Sequence, residues 1–225
     1  MKTQRTFEDL SLRHRKRART QLALVDALMD GLQTGWLADI KATGLAAAVG
    51  VSPATFFNYF KSKADLLTFF IQVWSIDMTV EARRIEADSD SPLTALEGVF
   101  AATADLTARN PRVMLEIIGH QAARSPDFEP PGVSDAVRLL RWPDVPDVCD
   151  LPASGLQDIV PRLLQGAVDA DELPPTTDLP TLTLAVFSTF FGVPLLVAPR
   201  QPDAIAPSYQ RQLHLLWAGA RTGGA

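Results

Sequence analysis

An all-α fold is what this sequence predicts, and three observations predict it. Apolar residues recur at helical spacing almost throughout, as in Leu22, Val25, Leu28 or Met29 and Leu32, and no long run alternates apolar with polar residues as a half-buried strand would. Capping residues stand directly before prolines at Ser52 with Pro53, Ser91 with Pro92, and Asn110 with Pro111. The cap accepts a first-turn N–H that lacks a partner, and proline has no N–H to leave unpaired. Finally, 225 residues that are 47% hydrophobic and 21% charged suffice to bury a sizeable core.

Taken in order, the first helix is expected over about 19–33, from the Leu22 to Leu32 stripe. A small-residue helix follows at 43–49, closed by Gly50, and a capped one at 53–59. Ser62 with Asp65 makes a capping-box-like start to a long helix over 63–87. Ser91–Pro92 and Asn110–Pro111 open helices at 92–108 and 111–124. Residues 125–161 hold seven prolines and read as a long irregular connection, interrupted by a short helix around 133–142. The last helices are expected at 154–170, 180–197 and 204–219. The expected organisation is an N-terminal three-helix, helix-turn-helix domain over 1–67, then a larger helical domain over 68–225.

Charge divides the same way. Residues 1–70 carry ten basic and six acidic side chains, net +4, and residues 71–225 carry eleven and twenty, net −9. A basic head on an acidic body concentrates a phosphate-attracting field at one end, although the whole chain is at −5. The single cysteine, Cys149, excludes an internal disulfide framework and suits a reducing cytoplasm. Residues 1–19 hold seven Lys or Arg instead of an apolar stretch, so they do not read as a signal peptide.

The chemistry sits at 43–63. Ala46, Ala47 and Ala48 allow close helix approach, Gly50 permits the left-handed backbone that ends the first helix, and Val51 plugs the corner. Ser52 and Pro53 start the second helix abruptly, where its first residues could enter a major groove. With Phe56 facing inward alongside Leu45, Val49 and Phe60, the helical step points Ala54 and Asn58 outward and sets Thr55 and Phe57 on the flanks. Asn58 suits a bidentate contact with adenine, and Ala54, Thr55 or Phe57 a thymine methyl. Lys63, in the first turn of the next helix, opposes the helix dipole unless an anion lies close, and a DNA phosphate is such an anion.

From Gly50 through Ser-Pro-Ala-Thr-Phe-Phe-Asn-Tyr-Phe-Lys-Ser-Lys to Leu67 the sequence resembles the TetR family of bacterial transcriptional regulators, a likeness covering roughly residues 17–67. The resemblance implies phosphate contacts from Ser52, Thr55, Tyr59 and Lys63, with Pro53, Ala54, Phe57 and Asn58 facing bases or the sugar edge. Arg17 belongs to the basic lead-in, Arg15 to Thr20, and is expected to meet DNA too. Three departures stand out: Phe57 lacks the hydroxyl frequent at its position, Lys41 replaces the usual hydroxyl cap, and the spacing between Asp26, Gly35 and Leu45 is shifted by a residue.

For the body, the resemblance implies a homodimer through residues 180–219, hence a palindromic operator, and a pocket for a small effector, expected to be apolar. Candidate lining residues are Trp74, Met114, Ile117, His120, Gln121, Trp142, Leu163, Phe187 and Phe191, large apolar groups with a few polar ones. The uncharged stretch 179–199 is long enough for a bilayer, but its prolines, threonines and serine favour a buried helix. No cofactor or metal is expected. His14, His120 and His214 lack ligand spacing, no glycine-rich phosphate loop occurs, Cys149 has no activating partner, and Asp169, Asp171 and Glu172 read as a solvated helix end. Three readings stay open: a ligand-responsive repressor, a DNA-binding regulator answering to a protein partner, and a helical carrier or enzyme.

Overall fold

The computed structural model describes residues 6–124 and 132–222, and among these no strand forms. The chain divides into two compact units, Met1–Ile76 with His120–Ala153, and Asp77–Gly119 with Ser154–Ala225. Residues from mid-sequence pack with the N-terminal helices in the first unit.

In the first unit, helix α1 (Leu12–Thr34) begins well before the expected 19. The reason is local: Ser11 Oγ accepts the N–H of His14 at 3.4 Å and caps the helix. The basic run is therefore helical, with Arg15 paired to Glu8 and Arg19 stacked 5.3 Å from the Phe7 ring centre. Leu24, Leu28 and Leu32 are buried on its other face. Helices α2 (Ala42–Val49) and α3 (Pro53–Tyr59) follow, then α4 (Lys63–Ala87), whose Ser62 cap accepts the Asp65 N–H at 3.1 Å and donates to the Asp65 carboxylate at 2.9 Å.

Part of the proline-rich connection is built, not irregular. Helix α7 (Asp135–Arg141) lies on α1 and buries Ala136, Val137 and Leu139. The Arg138 guanidinium, also buried, donates to the carbonyls of Val133, Val148 and Leu151 at 3.1, 2.9 and 2.7 Å. These bonds gather the chain on both sides of a single 3-10 turn, Val148–Asp150. Burial pulls the Arg138 proton affinity down, against the fields of Cys149, Asp135 and Asp150. The expected connection also stops short of 161: Pro161 lies inside helix α8 (Leu156–Asp169). Pro161 and Gln157 are both exposed, and proline's missing N–H leaves the Gln157 carbonyl without its helical donor.

The second unit joins the rest of α4, helix α5 (Pro92–Arg109), most of α6 (Pro111–Ala122), α8, α9 (Leu179–Val197) and α10 (Ile205–Thr222). Ser91 caps α5 through the Thr94 N–H and donates to Glu172 at 2.8 Å. Arg162 on α8 makes a bidentate pair with Glu86 on α4, both contacts 2.6 Å, and that hydrogen bonding raises the arginine's proton affinity. The core centres on Phe100, Phe190 and Tyr209, with Phe100 edge-on to the other two at 5.2 and 4.9 Å. The Tyr209 hydroxyl, buried, donates to the Phe190 carbonyl at 2.7 Å. Helix α9 is long and apolar enough to cross a membrane, yet Leu182, Val186 and Phe190 form a buried face in contact with α8 and α10.

Candidate nucleic-acid interface

Residue 50 decides the corner. Gly50 sits in the left-handed region at φ 74°, where a side chain would be strained, and its N–H and that of Val51 return to carbonyls of α2, Val51 to Ala46 at 2.9 Å. Lys41 begins α2 without a side-chain cap, as its lack of a hydroxyl dictates. Ser52 then starts α3: its Oγ accepts the Thr55 N–H at 3.1 Å and lies 2.9 Å from the Thr55 hydroxyl.

The face assignment holds. Phe56 is fully buried, edge-on to Phe57 at 5.3 Å and 6.1 Å from Phe60, so the short helix is pinned through one aromatic side. Pro53, Ala54, Phe57 and Asn58 are exposed, and Thr55 and Tyr59 half-buried. Phe57, at 50% exposure, is the large apolar group on this outward face. Arg17 of α1 lays its guanidinium 5.2 Å from the Tyr59 ring centre, so a cation and a phenol from two helices stand together beside α3.

Lys63 is placed differently from the sequence reading. Its ammonium donates to the carbonyls of Leu37, Ala38 and Ile40 at 2.5, 2.7 and 2.9 Å, using all three of its protons. Carbonyl oxygens of the α1–α2 connection thus supply the negative end that sequence reasoning assigned to phosphate. They lie 23 to 26 residues away, beyond any local pattern.

The nine body candidates divide between the units. In the first, Trp74 is half-buried and Trp142 buried, His120 Nε2 lies 2.8 Å from the Thr68 hydroxyl, and Gln121 is exposed, its carbonyl oxygen accepting from Arg124 at 2.9 Å. In the second, Met114, Ile117 and Leu163 are buried, and Phe187 and Phe191 half-buried, Phe191 edge-on to Phe190 at 5.1 Å. Sequence reasoning missed Gln21 and Arg138, polar residues whose burial shows only when α7 packs on α1.

Residues 41–68, from the α2 cap into α4, match the model of the bacterial regulatory proteins of the tetR family. The chain carries a TetR-family helix-turn-helix. Its TetR fold extends over most of its length. The Thermus thermophilus FadR, a TetR family transcriptional repressor in complex with lauroyl-CoA, superposes with a TM-score of 0.63 at 22% identity, over 88% of this chain and 94% of that one. FadR from Bacillus subtilis in complex with stearoyl-CoA gives 0.61 at 16% identity, over 88% and 98%. SmeT, the repressor of the Stenotrophomonas maltophilia multidrug efflux pump SmeDEF, gives 0.60 at 16% identity, over 91% and 92%. No curated protein sequence matches the chain. At these identities the TetR likeness beyond the helix-turn-helix is one of fold.

Proposed function

We propose that this protein is a ligand-responsive transcriptional repressor, cytoplasmic, that binds a palindromic operator as a homodimer with α3 in the major groove. The observation that carries the reading is the α3 face: Ala54, Phe57 and Asn58 are exposed while Phe56, one turn apart in direction, is buried. In that reading Asn58 reads an adenine edge, Ala54 and Phe57 meet thymine methyls, and Pro53 lies at the sugar edge. Ser52, Thr55, Tyr59 and Arg17 meet phosphates and fix the register. Lys63 acts chiefly as a positioning residue, tying the start of α4 to the turn before α2.

Pairing of two copies is supported by α9 and α10. Opposite the buried Leu182, Val186 and Phe190, α9 presents Leu184 and Leu195, with Leu196 beside them, at 66%, 52% and 78% exposure, and α10 presents Leu215 at 66%. Fully covering a leucine stabilises by about 1.5–3 kcal/mol, so an isologous α9–α10 contact that buries these side chains is favoured by the hydrophobic effect. The effector is proposed to be apolar, held by the large side chains named above. Lauroyl-CoA and stearoyl-CoA in the two FadR proteins, and resorcinol in RolR, make acyl thioesters and small phenols the compounds to test first. The proposed function is binding of operator and effector, without a catalytic step.

The test is a footprint on the DNA flanking the protein's own gene, repeated with lauroyl-CoA and resorcinol. Expected are a protected palindrome, affinity that falls steeply with salt, and release by an effector. Absent or salt-insensitive binding would sink the DNA-binding reading. Salt-sensitive binding that no small molecule changes would favour control by a protein partner.

A further inference from the structure

The first turns of α1 carry Arg13, Arg15, Lys16, Arg17 and Arg19, and no acid occurs between Asp9 and Asp26. The helical period sorts these cations onto two flanks. Arg15 and Arg19 share one, and both are answered there: Arg15 pairs with Glu8, and Arg19 rests on the Phe7 ring. Asp9, the other acid nearby, accepts the Thr6 N–H and hydroxyl, each at 2.8 Å. Arg13, Lys16 and Arg17, spaced i, i+3 and i+4, share the opposite flank. Arg17 meets the Tyr59 ring at the end of α3. Arg13 and Lys16 are exposed, and neither side chain has a hydrogen bond, ion pair or ring contact among the described residues.

Two effects disfavour this row in the chain alone. Like charges at such spacing repel, and cations in the first turns of a helix oppose its dipole, with no acid in the first turn of α1 to offset them. Lys63 resolves the same difficulty on three carbonyls of its own chain, and Arg13 and Lys16 do not. A polyanion laid along the flank relieves both effects. Arg17 carries the row to the end of α3, and a rise of about 1.5 Å per residue sets Arg13 about 6 Å further along the axis. Phosphates of one strand recur about every 3.4 Å of duplex axis, so the row spans about two of them.

We propose that Arg13 and Lys16 continue the DNA interface past Arg17 and hold backbone phosphates outside the bases that α3 reads, so the duplex contacted is longer than the base-specified site. This surface rests on the DNA-binding reading above and supplies affinity without base preference.

Anisotropy titration of the full chain at several salt concentrations tests it on two duplexes: the footprinted palindrome alone, and the palindrome with a helical turn of flanking sequence at each end. Wild type binds the longer duplex more tightly, with the steeper fall of log affinity against log salt. Arg13→Ala with Lys16→Ala removes that difference, reducing the slope on the longer duplex by about 1.8 for each copy bound, about 0.9 per lost phosphate contact. Site selection returns the wild-type base preference. Arg13→Lys with Lys16→Arg preserves both charges and the wild-type slope, as does Arg83→Ala, an exposed arginine of α4. Equal wild-type slopes on the two duplexes, a wild-type slope in the double alanine variant, an equal loss in the charge-preserving variant, or an altered base preference overturns the surface while DNA binding stands. No binding of either duplex by wild type sinks the DNA-binding reading and this surface with it.

Discussion

Replacing Lys63 with methionine separates two roles that the sequence alone merges. The side chain is half-buried and its three bonds go to carbonyls, two of them part-buried (Leu37 and Ile40) and one exposed (Ala38). A bond to a charged donor contributes about 1.5–3 kcal/mol when shielded, and water replaces the exposed one at little cost. Taking the low end for two shielded bonds gives a loss of roughly 2–3 kcal/mol. For a chain of this length that lowers the thermal midpoint by roughly 5–10 °C. Calorimetry reads that quantity, and anisotropy titrations of duplex DNA at several salt concentrations read the other. With Lys63 a positioning residue, the slope of log affinity against log salt stays near wild type in the cold. An unchanged midpoint together with a slope reduced by about 0.9, the signature of one lost phosphate contact, would refute the structural assignment.

Other substitutions probe the remaining claims. Asn58→Ala is expected to cost about 1–3 kcal/mol at one base pair of the operator and nothing at others, read by site selection on randomised duplexes; uniform weakening contradicts a base-facing Asn58. Arg138→Met leaves the Val133, Val148 and Leu151 carbonyls without their donor, at about 2–4 kcal/mol, and should open 143–151 to limited proteolysis, whereas unchanged digestion means those carbonyls are held by other means. Leu184→Glu with Leu215→Glu should yield monomers by light scattering, and a persistent dimer would place the contact elsewhere. Burial pushes the Tyr209 phenol upward, so the folded state holds its proton more tightly than the unfolded chain. That stability is fully present below the unfolded value of about 10 and is lost as pH rises through the alkaline range, by up to about 1.4 kcal/mol per unit. Denaturation midpoints should therefore fall with alkali in the wild type and less so in Tyr209→Phe.

Much of the site was legible because its causes are local. Ser52 capping Thr55, Gly50 turning left-handed and Phe56 facing inward each depend on neighbours within about one helical turn, where side-chain directions follow from the backbone period. The same holds for the Ser62–Asp65 start of α4 and the Ser91 cap of α5. Arg17 was placed with DNA as part of the basic lead-in that the family resemblance implies, and its seat on Tyr59 came only when α1 met α3.

What the sequence by itself determined was the run of helices, the corner at Gly50 and the outward face of α3, since periodicity and capping act over a few residues. Tertiary structure alone decided that Lys63 belongs to carbonyls 23 to 26 residues away and that α7 rides on α1 around a buried Arg138. It also decided that Gln21 of α1 lines a cleft together with residues of α3, α4 and α7. Those partners meet only because the chain returns on itself, and a polar group's partner across such a return is fixed by packing geometry, which leaves no periodic mark in the sequence.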